Sequence, residues 1–517
     1  MTRLDPDRTE TAIEQLTAAD DTALPQLTGQ TVQVSVTQPG NENCQHTLFA
    51  AVNLLARLEP VVDTVRITGV TETPTAVTHP NIEASHVDDA LHEVERQVGS
   101  SVDVETDPGT NAPDAVLHLG SGRIGTRDCF EVSVSSDGWL TEISTTSVVA
   151  AFSDQVNPVG AYTAGCIGCA EVFKHFLQEG AVDINAPIEQ IEDVTFSTFD
   201  YSTSPADPAN PPLPDDINVG ELDVIGVGAG GGACIHVLSV LESLDGSIRL
   251  VDPDEVSRSN LNRYIWAVAD DVDREKTTIG KELLETQHAV DVEYYPVSFD
   301  DLSDRFFESG LDLLISTVDK GEVRRNIQWE FPKNVLDAAT DQRGKYVVSK
   351  IQFGETQCLG CKYDQQGDDK RREMEALSEH IGLATDKLLE LDQHNGAFSE
   401  DQVAEIRRYV ADDVEFELPR PGDRFSDWRQ AEQCGQMVLE RTDTEVPIPF
   451  LPVTAGVLLA GEVIKHRYYP SDAVANRFAH NMLYKPREVL QQSRGPNDDC
   501  SICQDKIARQ HYRDTWG

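Results

Sequence analysis

Two groups of residues in this sequence have the types and spacing that chemistry requires: a glycine cluster followed by a carboxylate, and paired cysteines. In GVGAGGGA, Gly226, Gly228 and Gly231 stand in G-x-G-x-x-G spacing between an apolar run, Leu222 to Val227, and a stretch expected to be helical. Glycines there permit a tight turn and let the backbone approach phosphates at the helix N-terminus, where free N–H groups and the dipole favour anions. The next apolar run, SIRLV, ends in Asp252, placed where a carboxylate can accept both ribose hydroxyls of a nucleotide. On these residues alone, a nicotinamide oxidoreductase and an ATP-using enzyme both remain open. The chain has 10 cysteines, and among its C-x-x-C pairs are Cys358/Cys361 and Cys500/Cys503. The start, MTRLDPDRTE, lacks the charged-then-apolar pattern of a secretory signal, so metal or thiol chemistry outranks disulfides. Four thiolates suit a tetrahedral structural Zn²⁺, the alternative being four reduced thiols.

The elements that must position these groups are announced by an internal repeat. TAGCIGCAEVFKH (163 to 175) aligns without gaps to TAGVLLAGEVIKH (454 to 466), with seven of thirteen positions identical. Both segments read as an apolar helix ending in Lys-His, where cations suit the C-terminal end of the dipole. Upstream, TVQVSV, a helical stretch and DTVRITGV correspond to ELDVIGV, a helix and SIRLVD, which is strand, helix, strand twice over. DAVLHLG (114 to 120) parallels LDLLIST (311 to 317), each a continuous apolar run of the kind a buried parallel strand shows. The repeat places Cys166 and Cys169 of CIGC inside a helix, as small core residues rather than metal ligands. STSPADPANPPLPDD (202 to 216) has prolines that block helix and central strand, and reads as a linker. The polar stretch from about Asp368 to Gln433 shows helical patterning and reads as an insertion. The expected fold is therefore α/β, with two doubly wound sheets in tandem: 1–201, a linker over 202–217, and 218–506 with a helical insertion at about 368–433, then a C-terminal tail over 507–517.

VDPDEVSRSNLNRYIWAVADDVDREKTTIGK resembles the signature of the ThiF, MoeB and ubiquitin-activating family, roughly D-x-D-x-V-x-x-S-N-L-x-R-Q with a Lys beyond it. The matching positions are Asp252, Asp254, Val256, Ser259, Asn260, Leu261, Arg263 and Lys276. The resemblance implies a Rossmann-like adenylation domain in which Asp252 binds ribose while Asn260, Arg263 and Lys276 surround the triphosphate of ATP. Attack on an α-phosphate develops negative charge on phosphate oxygens and departing pyrophosphate, so fixed cations and amide donors are what that chemistry needs. LLISTVDKGEVRRN resembles the family's D-N-x-x-x-R element, with Asp319 implied as the Mg²⁺ ligand and Arg324 as its arginine. A hard cation prefers such oxygen ligands and shares them with phosphates. The sequence departs from the pattern at Ala229, Tyr264 and Lys320, where Gly, Gln and Asn are usual. The family also places zinc-binding cysteine pairs at the points where CLGC and CSIC stand. Cys434, before the repeat helix, lies where the family carries a cysteine able to take the activated acyl group, and as a residue reads equally as an ordinary partly buried cysteine.

The N-terminal copy has TQPGNENCQH in place of the glycine cluster, lacks an S-N-L-x-R segment, and carries Ser121 near where Asp319 would align. It is expected to be a degenerate copy that packs on the active half as one protomer packs on another in homodimeric relatives. Family members send an arginine from the partner subunit into the ATP site, for which Arg3 and Arg8 are the candidates here. The implied reaction is adenylation of the C-terminal carboxylate of a ubiquitin-like or sulfur-carrier protein ending in Gly-Gly, with ATP, Mg²⁺ and structural Zn²⁺, and possible onward transfer to Cys434. Alternatives are adenylation of a small peptide or other non-protein substrate, a nicotinamide oxidoreductase, and a scaffold without catalysis. The balance of 42 Lys+Arg against 89 Asp+Glu, net −47, disfavours nucleic acid as a partner and suggests a salt-loving source. No apolar run approaches the length of a membrane helix, so the chain is expected to be soluble, and its polar, acidic start without a secretory pattern implies the cytoplasm.

Overall fold

The computed structural model describes residues 4–517 except 18–26, 107, 108, 110, 123, 126, 127, 181–187, 205, 207, 287, 342, 343, 364–373, 375, 376, 379, 380, 394, 395, 410–417, 426, 427, 429–446, 471–475, 487–490, 493 and 499. One compact unit comprises Met1–Cys358 and Glu445–Gly517, and a second comprises Leu359–Thr444. The first unit holds two sheets. In one, β1 (Gln30–Val36), β2 (Val62–Thr68), β3 (Asp103–Glu105), β4 (Ala115–Leu119), β5 (Phe130–Asp137), β6 (Leu140–Ser144) and β7 (Asp193–Ser197) lie in the order β3-β2-β1-β4-β5-β6-β7. In the other, β8 (Ile217–Ile225), β9 (Leu244–Val251), β10 (Asp291–Tyr295), β11 (Leu313–Ser316), β12 (Asn334–Thr340), β13 (Lys345–Gln352), β14 (Arg477–Asn481) and β15 (Gln491–Gln492) lie in the order β10-β9-β8-β11-β12-β13-β14-β15. The first five strands of each sheet pair in parallel and the rest antiparallel. Strand for strand the two orders coincide, so the tandem Rossmann-like architecture expected from the repeat is present. The short strands β4 and β11, each next to the first strand of its sheet, are buried along their whole length, as parallel strands covered on both faces are.

The longer helices described in this unit include α1 (Pro6–Thr17), α2 (Glu42–Ala56), α3 (Val87–Val98), α4 (Pro158–Glu179), α5 (Ala229–Ser239), α6 (Lys276–Glu285) and α7 (Gly321–Trp329). Those described in the second unit include α8 (Thr385–Gln393) and α9 (Glu400–Tyr409); α10 (Phe450–Tyr468) and α11 (Lys506–Trp516) return to the first. The repeat segments lie in α4 and α10, and their identities have specific jobs. A Cβ on Gly456 would collide with the Gly230 carbonyl of α5, and one on Gly165 would sit 3.1 Å from the Thr47 carbonyl of α2, so both glycines let the repeat helix press against its neighbour. Thr163 and Thr454 each donate to the carbonyl four residues back, at 2.8 and 2.6 Å. The Lys-His ending is not a helix end in the first copy, where α4 runs on to Glu179. Lys174 instead forms a buried ion pair with Glu171, and Lys465 one with Glu462, because a buried ammonium needs a countercharge more than the dipole needs a cation. Lys465 Nζ also donates to the carbonyls of Thr198 and Phe199 at 3.0 and 2.9 Å, joining the two halves.

The helix that follows the first strand begins differently in the two copies. At the start of α2, Asn41 caps Cys44 N–H at 3.1 Å, while Asn43 Nδ2 donates to the Ser153 and Gln155 carbonyls and Gln45 Nε2 to those of Pro39 and Pro74. Gln38 exchanges two hydrogen bonds with the Phe152 backbone. These side chains fasten the chain's own loops over the end of α2, where the other copy has glycines. In the proline-rich segment the Pro211 carbonyl accepts from Trp139 Nε1 at 3.0 Å. The stretch expected as a tail is mostly helical: α11 docks through Trp516 Nε1 to the Phe331 carbonyl and Tyr512 Oη to that of Lys333. The helical insertion expected at about 368–433 falls within the second unit, which has a core of its own built on Ile381, Leu388, Phe398, Ile406, Phe425 and Trp428. Among the described residues, no helix is long and apolar enough to cross a membrane.

Candidate functional site

The site is built where β8, β9 and β11 end, at the reversal of strand order that opens a crevice in a doubly wound sheet. β8 stops at Ile225, and Gly226 takes a positive φ of 95°, which a side chain would strain. Its N–H donates to the Val251 carbonyl at 2.8 Å, and its own carbonyl accepts from Thr317 Oγ1 at 2.6 Å. Gly231 has to be glycine: a Cβ there would collide with the Gly226 carbonyl and come within 2.6 Å of Thr317 Oγ1. Above Gly228, which precedes α5, a Cβ would meet only Tyr264 Oη, at 3.7 Å. That leaves a side-chain-free cradle at a helix N-terminus, the geometry a phosphate requires.

Asp252 directly follows β9 and is 6% exposed. Its Oδ2 accepts from Val227 N–H at 2.7 Å and its Oδ1 from Asp254 N–H at 2.9 Å, which fixes the carboxylate against the glycine turn. Lys276 opens α6, with Nζ 2.8 Å from Asp254 Oδ2 and 3.4 Å from Asp252 Oδ1. Burial pushes Asp252 above the usual carboxylate range, against the opposing pull of Lys276 and the two N–H groups. Burial also draws Lys276 down, yet Tyr264, Asp252 and Asp254 outweigh it and hold the ammonium above its ordinary value. The lysine is therefore charged, beside the cradle.

Between Asp254 and Lys276 the chain makes a short 3₁₀ turn, Arg258–Asn260, capped by Asn260 Oδ1 accepting from Ser257 N–H at 3.0 Å. Arg263 donates to the Ser259 carbonyl and to Asn262 Oδ1, both at 2.9 Å, and its guanidinium lies 5.6 Å from the Tyr264 ring. Tyr264 stacks on Trp266 at 5.2 Å, and Lys276 Nζ is 5.8 Å from its ring. Trp266 Nε1 donates to the Gly228 carbonyl at 3.1 Å. The segment carrying Arg263 is thus fastened to the turn through its two aromatic residues. Of the arginines expected from the N-terminal half, Arg3 lies outside the described residues, while burial pushes Arg263 down and the charge of Arg8 in α1 adds a smaller push the same way.

Asp319 is exposed, two residues beyond Thr317 at the tip of β11. Arg324, in contrast, is buried: it forms an ion pair with Asp337 and donates to the Val318 carbonyl at 2.7 Å and the Ala338 carbonyl at 3.0 Å. It holds the loop that presents Asp319. Cys358, Cys361, Cys500 and Cys503 are buried, with all four sulfur atoms within 4.8 Å of one another and Cys358 and Cys500 3.6 Å apart. A tetrahedral zinc–thiolate site has sulfur–sulfur edges of about 3.8 Å, from bonds of about 2.3 Å, so the donor set fits Zn²⁺. Cys166 and Cys169 are core residues; burial pushes the Cys166 thiol up to about 12 and Cys169 well above its ordinary range. Cys434 lies outside the described residues.

Three contributors have no local sequence signal: Thr317, which ties the turn to β11, Trp266, and Arg57, which reaches the 261–267 loop from the other half of the chain. Hydrogen bonds between residues so far apart in sequence leave no spacing pattern to read.

Comparison with known proteins gives these residues a family. The profile described as ThiF family matches residues 215–502, and that described as BilD N-terminal domain matches residues 32–186. "Uncharacterized protein y4jF" of Sinorhizobium fredii (strain NBRC 101917 / NGR234) is 28% identical over 432 residues, 82% of this chain and 78% of that protein. Two solved E. coli structures, MccB with MccA-N7isoASN and MccB with succinimide, are similar at 14% and 15% identity, with TM-scores of 0.34 and 0.35. Each covers 55% of this chain, and 67% and 66% of the respective MccB chains are matched. The ThiF match spans more than half of the sequence and every element of the cradle described above, and the chain belongs to the ThiF family of ATP-dependent adenylyltransferases.

Proposed function

We propose that the C-terminal half uses MgATP to adenylate the C-terminal carboxylate of a small ubiquitin-like or sulfur-carrier protein ending in Gly-Gly. One observation carries this reading: the open cradle at Gly228, the Asp252–Lys276–Asp254 ion pair and the Arg263–Tyr264 segment share the edge where β8 and β9 end, and Thr317 ties that turn to the strand tip bearing Asp319. In the reaction a carboxylate oxygen of the tail attacks the α-phosphorus. The bond from that phosphorus to the bridging oxygen breaks, and pyrophosphate leaves with the electron pair, giving the acyl-adenylate. Asp252 accepts from the ribose hydroxyls, while the N–H groups at the start of α5 and the side chains of Asn260, Arg263 and Lys276 meet the charge that grows on phosphate oxygens. Asp319 would hold Mg²⁺, which neutralises phosphate charge when bound. Arg324 positions Asp319 through the Val318 carbonyl.

Cys434 would then accept the acyl group: its thiolate attacks the anhydride carbonyl and AMP departs, leaving a thioester. The N-terminal half is a degenerate copy serving as a built-in partner subunit, its own helix end occupied by the loops that Gln38, Asn43 and Gln45 fasten there. A Gly-Gly tail suits the crevice because it is flexible and has no side chains to exclude. Hydride transfer would have no use for Arg263, Lys276 and Asp319 around one phosphate group, so the nicotinamide reading loses to the adenylating one.

The test is ATP–pyrophosphate exchange at high salt, offering Gly-Gly-tailed proteins of the same genome alongside short peptides. Exchange driven by one of the proteins, retained in Cys434→Ala while covalent loading disappears, is the expected result. Exchange driven only by a short peptide would replace the proposed substrate.

A further inference from the structure

We infer that Arg57 and Asn53, both in the N-terminal half, are positioning residues for the nucleotide loop of the C-terminal half, so that the inactive half of the chain sets the ATP affinity of the active one. The inference rests on the ATP-binding reading of the cradle and adds to it a control that lies outside the cradle.

The starting point is a cation in the wrong place. Arg57 caps the C-terminal end of α2 and is 1% exposed, and among the described residues no carboxylate is paired with it. Burial alone pulls its guanidinium down to about 9. A buried charge without a countercharge is destabilising unless every donor is met. Here each of the three nitrogens donates a hydrogen bond, and two of them donate to one loop. Nε donates to Asn53 Oδ1 at 2.7 Å, one terminal nitrogen donates to the Leu261 carbonyl, and the other to the Ala267 carbonyl at 2.9 Å. Asn53 Nδ2 adds a bond to the Ile265 carbonyl at 3.3 Å.

Leu261 and Ala267 are the two ends of the segment that carries Arg263, Tyr264 and Trp266. Irregular backbone of this kind has carbonyls that no sheet or helix can satisfy, so buried ones must find side-chain donors. A guanidinium holds two carbonyls from two separate nitrogens of one rigid plane, where an ammonium or amide would have to reach both from a single nitrogen. The loop is in turn bound to the phosphate cradle, through Trp266 Nε1 on the Gly228 carbonyl and through Tyr264 beside Gly228 and Lys276. A second tie from the same half, Arg258 donating to the Leu4 carbonyl at 2.9 Å, secures the loop's approach. The path from Arg57 to the nucleotide is thus two bonded steps, with no contact between Arg57 and the nucleotide required.

The experiment compares the full-length chain with Arg57→Met, Arg57→Lys and Asn53→Ala. The readouts are calorimetric MgATP affinity, melting temperature, and hydrogen–deuterium exchange of the 261–267 segment without nucleotide. Loss of charged hydrogen bonds that order the loop is expected to weaken MgATP binding by about tenfold in Arg57→Met. Arg57→Lys should recover part of it, Asn53→Ala should lie between, and exchange over 261–267 should rise in the same order. A lower melting temperature with unchanged MgATP affinity and unchanged 261–267 exchange would overturn the inference, because Arg57 would then be structural only. Should Arg57→Met fail to fold, a folded Asn53→Ala with wild-type affinity and exchange overturns it equally. If the wild type itself bound no MgATP while 261–267 exchange still rose in the variants, the ATP reading of the cradle would fail and the positioning of the loop would stand.

Discussion

Lowering the pH from 7 to 5 should destabilise this protein by several kcal/mol through three histidines buried between its two halves. His46 of α2, His79 and His236 of α5 are 3%, 7% and 1% exposed. His79 and His236 meet edge to face at 4.9 Å, and Tyr162 Oη lies 3.0 Å from His236 Nε2. Burial, with His79 as neighbour, pushes His46 down to about 3; burial pushes His79 down to about 4; and burial with His79, Arg57 and His46 nearby drives His236 well below 6.5. In the folded chain all three are therefore neutral at pH 5, whereas unfolded they would protonate below about 6.5. The unfolded state then binds more protons, and stability is complete above pH 6.5 and is lost as pH falls below it. Each such histidine removes about 2 kcal/mol between pH 7 and 5, so the three together remove roughly 6 kcal/mol. Asp223, held up to about 6 by burial, works in the opposite direction and returns about 1 kcal/mol over the same interval. The measurement is urea unfolding at pH 7 and pH 5 in constant salt, for wild type and His79→Phe. Any packing change in the variant is the same at both pH values, so the difference between them isolates titration, and it should shrink by about 2 kcal/mol. A pH 7 to 5 difference equal in the two proteins would refute this assignment of the acid sensitivity to the seam.

Two further outcomes follow from single sites. Gly231→Ala places a methyl group against the Gly226 carbonyl and Thr317 Oγ1, and should cost about 1–3 kcal/mol of stability along with MgATP binding; a melting temperature equal to wild type would show that the turn can relax. Elemental analysis of the purified protein should find about one zinc per chain, falling in Cys500→Ser, with a metal-free wild type of full stability as the contrary result.

What the sequence disclosed followed the physics of periodicity and of contiguous motifs. The repeat announced two equivalent sheets because Gly165 and Gly456, and the Glu171–Lys174 and Glu462–Lys465 pairs, face the same packing problem in both copies. The glycine turn, Asp252 and Lys276 were legible because they lie close in sequence around one strand–helix junction. The Lys-His ending of the repeat reads as a helix terminus, and in α10 Lys465 and His466 do lie in the last turn, whereas α4 runs on past it and buries Lys174 against Glu171. Arg57, Asn53 and Trp266 were not legible. Their bonds join segments that only the packing of two halves brings together, and a tryptophan above a glycine looks like any core aromatic until the collision a Cβ on Gly232 would suffer is seen. The tail that proved to be α11 was polar overall, and its docking depends on Tyr512 and Trp516, each spending a polar atom on a distant carbonyl.

Direct titration of the full-length protein with MgATP, set beside Lys276→Met, puts the central claim at greatest risk. One site per chain is expected, weakened about tenfold or more in Lys276→Met if the ammonium held by Asp252 and Asp254 meets the phosphates as proposed, with no comparable binding of NAD⁺. Undetectable binding of MgATP, or equal affinity in the wild type and Lys276→Met, would contradict the account.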